Sequence, residues 1–143
     1  MFVSRRSRGT LLSCAVGAAL VAAAPAYAMG EGGPKIKATP HKLMINTETT
    51  LRGKHFPANT TIRLLECGKR SWLAPSNPCL EGNAKEVTTD ARGRFETSFT
   101  AGLCPEGEQV KMRTERLCYV GEVLFGEDTG ELVGAAKLKV SYP

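Results

Sequence analysis

The chain has 143 residues, with 19 Lys and Arg against 14 Asp and Glu, 42% hydrophobic residues and 23% charged ones. This length suits one domain and excludes the large catalytic barrels and doubly wound sheets, which need roughly 200 residues or more. The ordinary charged fraction excludes wholesale disorder.

Residues 1–28 read as a secretory signal peptide. Arg5, Arg6 and Arg8 form a basic start, and Leu11 to Ala24 is an apolar run of 14 residues. Ala26-Tyr27-Ala28 is an A-x-A cleavage site, preceded by the helix-breaking Pro25. The run is too short to span a bilayer comfortably, so no membrane span is expected. A lipoprotein box at Leu12-Ser13-Cys14 is disfavoured because the apolar run follows the cysteine. Twin-Arg export is disfavoured because Ser7, Arg8 and Gly9 follow the arginine pair. Cleavage after Ala28 removes three Arg and no acid, which lowers the net charge from +5 to +2. Much of the basic character therefore belongs to the leader, and whole-chain charge is poor evidence for a nucleic-acid surface.

Residues 29–34 are Gly-rich and read as a flexible tail, and residues 35–143 read as one β-sandwich domain. No stretch repeats apolar residues at helical spacing over three turns, so almost no helix is expected. Lys35–Ala38 and Thr49–Gly53 are weak strand candidates. Pro57-Ala58-Asn59 signals a turn, and this reading of Asn59 is preferred to its role in the glycosylation pattern Asn59-Thr60-Thr61. In the strand from Thr60 to Cys67, Ile62 and Leu64 take one face while Leu65 and Cys67 take the other. Apolar groups on both faces predict a covered strand or a lined cleft. Ala84–Thr89 is followed by Asp90-Ala91-Arg92-Gly93, where Asp opens a type I turn and Gly supplies the positive φ that closes it. Phe95, Thr97 and Phe99 alternate on the next strand. Gln109 to Cys118 reads as one half-buried strand, and Ala136, Leu138, Val140 and Tyr142 alternate at the C-terminus. Seven short strands in about 110 residues form the pattern of an immunoglobulin-like sandwich. Its core is predicted to hold Phe95, Phe99, Val110, Met112, Leu138 and Val140.

Four cysteines remain after cleavage, an even number in an oxidising compartment. They admit three pairings. Local closure favours Cys67–Cys79 and Cys104–Cys118, with 11 and 13 intervening residues. Each bridge would stabilise a small domain by roughly 3 kcal/mol. Zinc is disfavoured because no cysteine pair has ligand spacing. His41 and His55 are expected at exposed or edge positions. The chain lacks the nucleophile-elbow, zinc-protease and phosphate-loop motifs, so no catalytic residues and no metal are expected. Arg63, Lys69 and Arg70 read as a soluble basic rim. Trp72, the only Trp, sits inside the first disulfide loop, where it either plugs the loop or offers a flat binding platform.

The order and spacing of these motifs resemble the neocarzinostatin-type antibiotic apoproteins, secreted Ig-like domains that carry enediyne chromophores. The similar segments are Thr39-Pro40, Thr50-Leu51-Arg52-Gly53, Phe56-Pro57-Ala58-Asn59-Thr60, Leu65-Glu66-Cys67 through Asn77-Pro78-Cys79, Val87 to Gly93, and Cys118-Tyr119-Val120-Gly121. The resemblance covers about residues 36–142. The resemblance implies the same two bridges, and a short loop after the second. It also implies a ligand cleft beside both bridges on the outer face of one sheet. Carried over to this chain, the cleft would involve Leu65, Trp72, Leu73, Tyr119, Leu124 and Phe125. The implied function is a secreted, monomeric, non-enzymatic carrier of a small apolar aromatic ligand. It needs no cofactor beyond such a non-covalent chromophore. Any antibacterial or DNA-directed effect would reside in the ligand. The alternative is a cell-envelope or extracellular module that meets a protein or glycan through the same face.

Overall fold

The computed structural model describes residues 33–110 and 114–143. The expected signal peptide and most of the Gly-rich tail lie outside the described residues. Among the described residues the chain is all-β, with ten strands in two sheets. No helix there is long and apolar enough to cross a membrane.

Seven strands carry the sandwich: Lys35–Thr39 (β1), Glu48–Lys54 (β3), Thr61–Cys67 (β4), Cys79–Thr88 (β6), Phe95–Thr100 (β7), Glu115–Phe125 (β9) and Thr129–Ser141 (β10). Three strands of three residues each complete it: Lys42–Met44 (β2), Ser71–Leu73 (β5) and Glu108–Val110 (β8). The smaller sheet has the order β1-β3-β7, and the larger runs β2-β10-β9-β4-β6. β5 is added against β10, and β8 against β9. The β2–β10 pairing is parallel, whereas all the other pairings are antiparallel.

Strand alternation fixes which side chains meet between the sheets. Ile36 and Ala38 of β1, Leu51 of β3, and Phe95 and Phe99 of β7 come from the smaller sheet. They pack on Ile62 and Leu64 of β4, Cys118 and Val120 of β9, and Ala136, Leu138 and Val140 of β10. The expected core residues Phe95, Phe99, Leu138 and Val140 all lie in this cluster. Val110 does not; it is half-buried on the short edge strand β8. Met112 lies outside the described residues.

The turn between β6 and β7 follows the sequence reading. The Asp90 carboxylate accepts hydrogen bonds from the backbone N–H of Arg92 (2.8 Å) and Arg94 (2.9 Å). Gly93 closes the turn at φ 71° and donates its N–H to the Asp90 carbonyl at 3.0 Å. The Asp90 carboxyl is held below its usual range by those backbone donors.

Two expectations are corrected. Gln109–Cys118 is not one strand. Val110 pairs with Glu115 and Glu108 with Leu117, so β8 and β9 are the arms of an antiparallel hairpin. Because Val110 shares a face with its partner Glu115, it lies on the opposite face from Cys118, so the alternation read along the sequence does not follow one face of one strand. The short loop implied after Cys118 is also absent. β9 continues to Phe125, and Gly121 lies within it opposite Leu65.

Candidate binding face

The outer face of the larger sheet carries a second apolar cluster. Leu65 and Cys67 of β4, Cys79 of β6, Val123 of β9 and Leu132 of β10 are buried there, with Trp72 and Tyr119 packed against them. β4 thus has apolar groups on both faces because each face is covered by a separate cluster. The Cys67–Cys79 bridge fastens the loop that carries β5 to this face. Cys104–Cys118 lies on the core side of β9.

β5 extends the β9–β10 hairpin by one strand. Gly130 of β10 is the register partner of both Phe125 and Trp72. Direct cross-strand partners share a face, so Trp72 and Phe125 flank Gly130 on the outer face. A Cβ at Gly130 would run into the indole ring of Trp72, so the missing side chain is what lets the indole lie down against β10. Glu131 pairs with Leu124 and Ser71, and Thr129 with Leu73, which places Leu73 and Leu124 on the opposite face of this tip.

A cavity of about 570 Å3 opens at the tip, lined by Trp72, Leu73, Leu124, Phe125, Thr129 and Gly130 among others. A smaller one of about 220 Å3 is lined by Trp72, Ala74, Glu81, Phe125 and Asp128 among others. Leu73 and Phe125 are 69% and 62% exposed. The six residues expected at a ligand cleft therefore divide. Trp72, Leu73, Leu124 and Phe125 border the larger cavity. Leu65 is wholly buried, and Tyr119 is half-buried beside it with the Arg70 guanidinium 4.8 Å from its ring centroid.

The other members of the basic rim are committed as well. Arg63 pairs with Glu81 at 2.8 Å, and Lys69 lies 3.8 Å from Glu106. His41 and His55 are exposed. Among the described residues no group of three His, Cys, Asp or Glu side chains is placed to hold a metal ion.

Sequence reading passed over Glu66, Gly130 and Leu132. Glu66 points to the core side of β4 and is fully buried. One carboxylate oxygen accepts from the Gly102 N–H and from Asn83 Nδ2, each at 2.8 Å. Its other oxygen has no partner among the described residues. Burial outweighs those two hydrogen bonds and pushes the carboxyl up to about 7. Glu122 is also raised by burial. Nothing local marks Glu66, because a lone acid beside a cysteine has no periodic signature. Gly130 and Leu132 acquire their places only through long-range register. The run from Val120 to Phe125, by contrast, has the short apolar composition of a covered strand.

No protein-family model matches the chain, and no curated protein matches it. Among solved structures, macromomycin is similar over 77% of this chain and 99% of its own, at 15% sequence identity and a TM-score of 0.48.

Proposed function

We propose that the protein is a secreted, non-enzymatic binding protein that takes a small apolar, aromatic ligand at the β5–β9–β10 tip. The observation that carries this reading is the cavity of about 570 Å3 at the tip, where Trp72 and Phe125 flank Gly130 on one face. That volume lies within the range of small-molecule sites, and aromatic rings on a rigid frame suit a flat apolar guest. The leader-like segment 1–28 and the two disulfides support an oxidising, extracellular setting. The resemblance to chromophore-carrying apoproteins supports the ligand class. Any action on DNA or on bacteria would come from the guest.

Buried Leu65 fills the position deeper on the same face, so the guest is held at the tip and not between the two disulfides. Titration with anthracene tests the reading, with Trp72 emission as the reporter because it is the only Trp. Saturable quenching is expected. Phe125→Ala should weaken binding about ten- to a hundredfold, the equivalent of roughly 1.5–3 kcal/mol of aromatic burial. Absence of saturable quenching in the wild-type protein would overturn the reading.

A second reading has its own observation. Leu65 and Trp72 pack in one cluster while Leu73 and Phe125 project into solvent. That arrangement favours an extracellular module whose tip meets a protein or glycan through exposed apolar side chains.

A further inference from the structure

The outer face of the smaller sheet is unlike the rest of the molecule. Ile36, Ala38, Leu51 and Gly53 turn inward, so their strand neighbours Lys35, Lys37, Arg52 and Lys54 turn outward. With Arg94 these four cations line a concavity of about 810 Å3. The acids there are Asp90 and Glu96, and both are already engaged. Glu96 pairs with Arg52 at 2.9 Å, and Asp90 accepts the backbone N–H groups of its own turn. Among the described residues Lys35, Lys37 and Lys54 form no ion pair.

The register makes the charge more telling. Lys35 is the direct partner of Lys54, and Lys37 of Arg52. Like charges directly opposite on one face of a sheet are destabilising, so stability of the fold gives no reason for two such pairs side by side. Along each strand the cations recur at roughly 7 Å, twice the rise per residue. The lining holds an excess of three positive charges, whereas the whole chain from Met29 onward has an excess of two. The net positive charge of the mature chain is thus gathered on this face.

We propose that the lysine-paired face of β1 and β3 binds an extended polyanionic polysaccharide, one bearing sulfate or carboxylate groups. The anion would relieve the two like-charge pairs and bridge cations on adjacent strands. Phe95, the one aromatic in the lining, is buried with its ring against Gly53, and no outward side chain of β1 or β3 is aromatic, so the face offers no exposed stacking platform of the kind single-stranded nucleic acid uses. The exposed large apolar residues Met44, Leu73 and Phe125 do not line the concavity, so it has no wedge for a lipid surface. The inference is separate from the ligand at Trp72. It draws on the secreted reading only in choosing polysaccharide over intracellular polyanions.

Binding of the purified full chain to dextran sulfate, unsulfated dextran and a DNA duplex at about 0.05 M NaCl, where screening is weak, tests it. Dextran sulfate should bind with an affinity that falls steeply with salt, and unsulfated dextran should not bind. Lys35→Gln with Lys54→Gln should weaken binding at least tenfold. This pair relieves repulsion, so its thermal midpoint should equal or exceed wild type. Lys42→Gln with Lys137→Gln removes the same charge from exposed positions on the other sheet and should change affinity less than twofold. Equal losses from the two variants would show that only net charge matters and would overturn the proposal. So would absence of binding to dextran sulfate. Duplex DNA bound tenfold tighter than dextran sulfate at the same salt would assign the face to nucleic acid instead. Anthracene binding at Trp72 should be unchanged in both variants, which separates this test from the ligand reading.

Discussion

Glu66 should make the protein less stable as pH rises from acid to neutral. In the unfolded chain its carboxyl titrates near 4.5, and in the fold at about 7. Between those values the native state holds a proton that the unfolded state has lost. Stability therefore falls with pH across that window and levels off above it. A displacement of this size is worth about 3 kcal/mol, which is the cost of keeping the charged carboxylate buried at pH 8. Glu66→Gln removes the charge and keeps an oxygen to accept from Gly102 and Asn83. At pH 8 it should raise the melting temperature on the order of 10 °C, while at pH 4.5 it should change little. Glu122 contributes in the same direction, and Asp90 in the opposite one, with stability lost as pH falls through its depressed value. The difference between wild type and Glu66→Gln isolates the Glu66 part. The assay is thermal unfolding followed by circular dichroism at half-unit steps of pH. Parallel wild-type and variant curves from pH 4.5 to 8 would show that the Glu66 carboxyl is not raised by burial.

Phe99 is buried between the sheets, and Phe99→Ala should cost about 3–5 kcal/mol in urea unfolding; a loss under about 0.5 kcal/mol, usual for surface changes, would contradict its place in the core. Gly130→Ala should lift the indole off β10, seen as a red shift of Trp72 emission with greater acrylamide quenching, and unaltered emission would show that the indole does not lie there. Peptide mapping of the non-reduced protein should yield Cys67 linked to Cys79 and Cys104 linked to Cys118; a Cys67–Cys104 or Cys67–Cys118 peptide would contradict both bridges.

What the sequence made legible was local chemistry. Asp90 and Gly93 specify their turn through their own backbone preferences, and the structure has that turn. Phe95 and Phe99, and Leu138 and Val140, announce their inward face by alternation alone. The two-sided pattern of Ile62, Leu64, Leu65 and Cys67 pointed to a covered strand or a lined cleft, and β4 is covered on both faces. What stayed hidden was long-range. β5 is three residues long, and its strand character comes from partners nearly sixty positions away on β10. Val110 and Cys118 fall in one alternating series in the sequence, yet β8 folds back on β9 and sets them on opposite faces, which only the pairing reveals. The lysine pairs of the basic face exist only once β1 is set against β3. Glu66 owes its neighbours to β6 and to the segment around Gly102, neither of which leaves a mark beside it in the chain.

The ligand site is proposed at the tip formed by β5, β9 and β10. Chemical-shift mapping of the isotope-labelled protein during titration with anthracene tests it most directly, because every backbone N–H reports at once. The largest shifts are expected at Trp72, Leu124, Phe125 and Gly130, with Lys35 and Lys54 on the far sheet unmoved. Shifts concentrated away from the tip, or none at saturating probe, would contradict it.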